Sequence, residues 1–178
     1  MRARVGGYAV DMVIFAAITM LMTVLAGFIL LASTSWAEDD PSDPRLYTFL
    51  AIIGAGVPLV WSALNVGLLA TRGQTGGQYV AGLRLALEDG PALRLRDAAA
   101  WWFCFNPLLF SWPMSLVAGL PLVAVISILA SRLVFVLFGL IVTLCIASPP
   151  IALISASMDR NHRPLHDRVV GVVALPAE

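Results

Sequence analysis

Four long stretches of this chain carry no Asp, Glu, Lys or Arg: Met12–Ala37, Leu46–Thr71, Ala98–Ser131 and Leu133–Met158. A helix that crosses a bilayer needs about 20 mostly apolar residues, a length that soluble core helices seldom reach without a charge. In lipid each backbone N–H and C=O must be paired inside its own element, and uninterrupted runs without alternating ten-residue strands select helices over a barrel. Composition agrees, with 60% hydrophobic and 12% charged residues against roughly 45–50% and 25% in soluble domains. The reading is a single all-α membrane domain with four transmembrane helices, at about 9–33, 47–70, 98–130 and 133–157. The lipid bilayer is its first partner.

The 11 basic residues, all Arg, balance 11 acidic ones, so there is no basic excess of the kind that binds nucleic acid. Cys104 and Cys145 sit alone in apolar runs, which excludes a disulfide framework or a C-x-x-C site and leaves buried free thiols. A charged start followed by an apolar run and Ser35-Trp36-Ala37 imitates a signal peptide. That run is about twice the usual length, and the chain beyond Ala37 is itself mostly membrane-spanning, so cleavage is not expected.

Arginines in short loops are retained on the cytoplasmic side. With the amino terminus inside, four spans place Arg2, Arg4, Arg72, Arg84, Arg94, Arg96, Arg160, Arg163 and Arg168 inside and only Arg45 and Arg132 outside. The expectation is a multi-pass plasma-membrane (cell inner membrane) protein with both termini cytoplasmic. Glu38, Asp39, Asp40 and Asp43 then form a solvated outer loop. The third run carries Pro107, Pro113 and Pro121, which leaves open one bent span or two shorter elements.

Between the second and third spans, residues 72–97 read as non-helical. Leu83, Leu85 and Leu87 alternate with Arg84, Ala86 and Glu88; Glu88-Asp89-Gly90-Pro91 turns; and Leu93 and Leu95 alternate with Arg94 and Arg96. Period two around a turn predicts a short cytoplasmic β-hairpin, with Asp97 capping the next helix. Trp101, Trp102 and Tyr79 suit interface anchoring. Asn65, Asn106, Thr143 and Ser155 suit helix-to-helix hydrogen bonds.

Three groups of residues carry chemistry. Arg4 and Asp11 lie seven apart, about two helical turns and roughly 10 Å along one face, a face that continues through Tyr8, Phe15, Thr19, Thr23 and Gly27. An acid inside an apolar span points to protein or water, as a cation or proton site or as a structural partner for an arginine. The segment Asp159 to Arg168 holds both His162 and His166, but Pro164 separates them and no specific metal-ligand spacing is present. The glycine-rich Gly73-Gln74-Thr75-Gly76-Gly77-Gln78 lacks the Lys-Ser/Thr of a P-loop and reads as a tight turn. No cofactor or metal is implied.

Taken in order, these elements resemble the RDD membrane proteins, named for one arginine and two aspartates. The resemblance rests on Arg4 with Asp11; on Gly73 to Arg84, similar to the family's G-x-T-P-G-K-x-x-x-G-L-R, with Gly73, Gln74, Thr75, Gly77 and Gly82 in the turn; on Asp89-Gly90; and on Leu165-His166-Asp167-Arg168 with Gly171, similar to L-H-D-x-x-x-G. Gly76 stands where proline is common and Gln78 where lysine is common. The resemblance implies Arg4, Asp11 and Asp167 as the name-giving set. It also raises transport of a small solute or ion, with cation/proton exchange proposed for some members. The expectation is that Arg4 opposes Asp11 and that Asp167 approaches Arg4, which makes a two-acid, one-base cluster.

The alternative is a membrane scaffold or accessory subunit in which the cluster is structural. Four spans leave little room for a solute path in a monomer, so transport would call for a homo-oligomer or a membrane-protein partner. An enzyme is not expected, since no catalytic motif of the serine-hydrolase or zinc-peptidase kind is present.

Overall fold

The computed structural model describes residues 2–35, 43–88, 90, 93–104, 106–110, 143 and 147–177. Helix α1 (Arg2–Ser33) has no internal proline. It ends where the Ser33 and Thr34 hydroxyls turn back on the Leu30 carbonyl, at 2.8 and 3.0 Å. A second continuous helix runs from Pro44 to Arg72, as α2 (Asp43–Ala51), a π-helical turn (Ile52–Gly56) and α3 (Val57–Arg72). The π turn has a local cause. Pro58 offers no N–H and its ring would strike the carbonyl four residues back, at Gly54, so the helix widens just ahead of it.

These two helices are long and apolar enough to cross a membrane. α1 begins seven residues before the expected 9, and the second helix slightly exceeds the expected 47–70. The other two expected spans fall largely on residues outside the described ones, as do Cys145, Asp89, Pro113, Pro121 and most of the acidic loop. The described part of the fourth run is helix α7 (Ala147–Met158).

α1 and α3 lie antiparallel, with Phe15 against Trp61 at 5.4 Å between ring centroids and Met22 against Gly56. After Arg72 come α4 (Gly76–Val80), β1 (Leu83–Leu87), α5 (Leu95–Phe103) and α6 (Pro107–Phe110), and after α7 come α8 (Leu165–Val170) and β2 (Val172–Pro176). The carboxyl-terminal segment returns to the middle of the chain, where β1 pairs antiparallel with β2, Leu85 facing Ala174, and to its start, where Asp167 meets Arg4.

That pairing corrects the expected hairpin. The alternation at Leu83, Leu85 and Leu87 is a genuine strand, but its partner is the carboxyl-terminal strand, and the second half of the expected hairpin is the start of α5. Asp97 accordingly does not precede its helix. It sits in the first turn and accepts from the Arg94 amide at 3.3 Å.

The third run is also broken early: α5 stops at Phe103, and Asn106 caps α6 by accepting from the Leu108 amide at 3.0 Å. Pro107 then takes the first helical position, where no N–H is required. Trp101 and Trp102 are buried rather than interfacial. Trp102 Nε1 donates to Ser62 Oγ at 3.0 Å, and Trp61 Nε1 to the Leu108 carbonyl at 3.0 Å. Tyr79 is exposed.

The polar groups expected to join helices mostly bond locally, Asn65 to the Trp61 carbonyl and Asn106 to its own cap. Ser155 does connect elements, accepting from the Leu165 amide at 2.9 Å.

α3 closes on Gly73, whose φ of 66° is left-handed and whose amide bonds the Leu69 carbonyl at 2.9 Å. A Cβ there would stand 2.8 Å from the Leu85 carbonyl oxygen. Gly73→Ala therefore combines the left-handed penalty of about 1–2 kcal/mol with displacement of β1, and its thermal midpoint in detergent should fall by several degrees. Gly6→Ala, in open helical space, should leave that midpoint unchanged or raise it.

Candidate functional site

Helical spacing puts Arg4, Tyr8, Asp11 and Phe15 on one face of α1, and Asp11 and Phe15 are buried along it. Farther along, the Thr19 and Thr23 hydroxyls bond carbonyls of their own helix, Phe15 and Thr19 respectively, at 2.9 and 2.8 Å. The polar part of the face therefore ends near Asp11.

The glycine-rich turn meets this face. Thr75 precedes α4 and forms a capping box with Gln78: Thr75 Oγ1 accepts from the Gln78 amide at 3.2 Å, and Gln78 Oε1 from the Thr75 amide at 2.9 Å. The same Thr75 hydroxyl donates to Asp11 Oδ2 at 2.6 Å, and the Gly77 amide donates to Asp11 Oδ1 at 2.7 Å. Each oxygen of the carboxylate thus takes a donor from the start of α4.

Close approach makes this possible. A Cβ on Gly77 would overlap the Gly7 carbonyl oxygen and stand 2.7 Å from the Asp11 carboxylate, and one on Gly7 would lie 3.2 Å from the Gly77 carbonyl oxygen. Gln74 ties the turn to β1 through Nε2 and the Leu83 carbonyl at 2.9 Å. Gly82, at φ 64°, reverses the chain into β1.

The other acid arrives from the far end of the chain. Asp167 lies in the first turn of α8; its Oδ2 accepts from Arg4 at 2.5 Å and its Oδ1 from Trp101 Nε1 at 2.7 Å. Arg4 is thus committed to Asp167, which corrects the expectation that it opposes Asp11 directly; Asp11 is held by neutral donors. Gly171, at φ 71°, ends α8 and hands the chain to β2, which gives the L-H-D-x-x-x-G spacing a physical basis.

His166 lies beside this pair, edge-on to Trp101 at 5.2 Å, with Nε2 3.3 Å from the Tyr8 hydroxyl. Its Nδ1 is buried without a hydrogen-bond partner. Burial pushes the imidazole down to about 4 against the opposing pull of the Asp167 carboxylate, so at neutral pH it carries no charge.

Arg4, Tyr8, Asp11, His166 and Asp167 line one cavity of about 20 Å³, closed by Gln78, Trp101 and Leu108 among others. That is room for about one water molecule. His162 lies apart, its Nδ1 3.3 Å from the Ala156 carbonyl. Among the described residues no group of three His, Cys, Asp or Glu could hold a metal.

A second, exposed tie sits nearby. Arg163 pairs with both Glu88 and Asp159, and the Arg163 backbone amide holds the Asp159 carboxyl below the usual carboxylate range. Trp101 is the site residue that sequence reasoning assigned elsewhere. The signal was present, since Ala98, Trp101 and Trp102 fall at one-face helical spacing right after Asp97.

This geometry sets two expected outcomes. Trp101→Phe keeps the ring but removes the donor to Asp167, and should cost roughly 1.5–3 kcal/mol in an unfolding titration in detergent. His166 binds a proton in the unfolded chain near its ordinary value and in the folded chain only near 4. Its contribution to stability is therefore full above about 6.5 and is lost as pH falls toward 4, at up to about 1.4 kcal/mol per pH unit. The thermal midpoint should drop between pH 7 and 5, and His166→Gln should flatten part of that slope.

The RDD family model matches residues 1–171 of the chain. No functionally curated protein matches it, and no solved structure does. With its apolar helices and a match that takes in both halves of the charged cluster, the chain belongs to the RDD family of membrane proteins.

Proposed function

We propose that this protein moves a small solute or ion across the plasma membrane, that cation/proton exchange is the form its site fits best, and that Asp11, Arg4 and Asp167 are the coupling groups. The observation that carries this reading is a charge count in a buried place. Asp11 and Asp167 are each 1% exposed, and the one guanidinium beside them among the described residues pairs with Asp167. The donors to Asp11 are a hydroxyl and an amide, neither of which cancels charge. One excess negative charge in a low-dielectric setting is relieved by a proton or a small monovalent cation, and the cavity suits an occupant of that size, not an organic solute.

The topology in this proposal has four spans with both termini cytoplasmic, supported by the arginine distribution and by the Arg4–Asp167 pair that joins the two ends of the chain. We read the protein as a non-enzyme. A second reading, a scaffold or accessory subunit, is favoured by a different observation: Asp11 bonds residues 64 and 66 positions away, and Asp167 bonds Arg4 from 163 away. The cluster would then be a latch between segments.

The test is proton movement in sealed vesicles holding purified protein, on stepping sodium, potassium or lithium, for wild type and Asp11→Asn. Cation-driven proton flux that falls tenfold or more in a folded variant supports exchange through Asp11. A wild type with no flux for any of the three ions counts against it and favours the latch.

A further inference from the structure

Among the described residues, the arginines at the end of the bundle where the chain's termini meet fall into two groups. Arg4, Arg96 and Arg163 each have a carboxylate within reach. Arg72 and Arg84 belong to the exposed group without one. Arg72 is the last residue of the apolar Pro44–Arg72 helix and is exposed. Arg84 comes from β1, and its stem is laid across Gly73, the residue next to Arg72: Cγ and Nε lie 3.3 and 3.4 Å from the position of a Gly73 Cβ.

The same glycine therefore serves twice, since a side chain at 73 would displace the Arg84 stem from its place beside the end of α3. The elements next to Arg84 also carry exposed apolar side chains. Leu175, opposite Arg84 in the strand register, and Tyr79 and Val80 on α4 are 47%, 68% and 67% exposed. Unpaired guanidinium groups beside exposed apolar side chains at a span end suit the boundary between headgroups and acyl chains, where the phosphate is the complementary charge.

We propose that Arg72, which ends α3, and Arg84, whose stem lies across the next residue Gly73, form a binding site for the headgroup phosphate of an anionic phospholipid. The planar fork of each guanidinium matches phosphate oxygens. The packing of the Arg84 stem on Gly73 reduces the freedom lost on binding. Leu175, Tyr79 and Val80 then lie along the lipid's apolar part. The site is separate from the buried cluster of Arg4, Asp11 and Asp167, and it stands whether or not the protein transports ions.

The test is native mass spectrometry of the full chain released from detergent micelles containing equal amounts of phosphatidylglycerol and phosphatidylcholine. The wild type is expected to retain phosphatidylglycerol at least tenfold over phosphatidylcholine. Arg72→Gln/Arg84→Gln should lose that preference, while Arg94→Gln/Arg96→Gln, which removes equal charge at the start of α5, should keep it. Equal retention of the two lipids by wild type would overturn the proposal without reference to any variant. So would an equal loss in the α5 double variant, which would mean a diffuse charge effect. Displacement of the lipid by millimolar inorganic phosphate would also overturn it, by showing a site for the free anion.

Discussion

A carboxylate carried by an apolar helix has to be supplied with donors from protein, and two buried carboxylates, Asp11 on that helix and Asp167 against it, organise one end of this molecule. Asp11 draws in the start of α4, and Asp167 draws in Arg4 of α1 and Trp101 of α5. Between helices in lipid there is little hydrophobic driving force, because acyl chains are as apolar as leucine, so association rests on close packing and directional polar bonds. Here both act at the same place. Removing one partner would leave the other buried and uncompensated, which is costlier than never having built the pair.

Close packing is supplied by backbone rather than by side chains. Gly7 and Gly77 let α1 and α4 approach until the Gly77 amide reaches the Asp11 carboxylate, a contact that any Cβ at 77 would fill. Gly76, at the first position of α4 after the Thr75 cap, is where the family commonly has proline. The backbone conformation suits either, because Thr75 is extended at φ −80° and ψ 172° and a first helical position needs no N–H, but a Cβ at 76 would stand 2.7 Å from Ile14 Cδ1, so a proline would require that side-chain end to shift. The capping box shows why glutamine works at 78, since its Oε1 takes up the Thr75 amide.

The first two long helices were legible because a run without charge has few other ways to fold, and the Arg4–Asp11 face was legible from spacing alone. What escaped was pairing over long separations. β1 announces itself by Leu83, Leu85 and Leu87, but a strand's pattern does not say where its partner lies. The nearest alternation, at Leu93 and Leu95, was two leucines long and belonged to a helix. Likewise Arg4 and Asp11 share a face two turns apart, a separation too long for a direct ion pair. The donors to Asp11 and the acid for Arg4 come from segments that only the folded chain brings near. Trp101 was misplaced because a tryptophan at a span boundary has two physical readings, interfacial anchor and buried donor, and only the presence of Asp167 beside it selects the second.

The Asp11 site also bears on whether a latch and an exchange site are real alternatives. Thr75 Oγ1 already accepts from the Gln78 amide and has a second lone pair. In the bond to Asp11 Oδ2 its hydroxyl donates to a carboxylate, yet it can equally turn and accept from a carboxylic acid, while the Gly77 amide keeps its bond to Oδ1. Asp11 therefore keeps a partner at each oxygen in either protonation state with the heavy atoms in place, the protonated form requiring the buried Thr75 hydroxyl proton to turn away from it. A purely structural tie needs only one of those states. A hydroxyl that can donate or accept keeps the bonds that hold α4 to α1 compatible with the proton exchange proposed for Asp11, so the latch and the exchange site do not exclude each other.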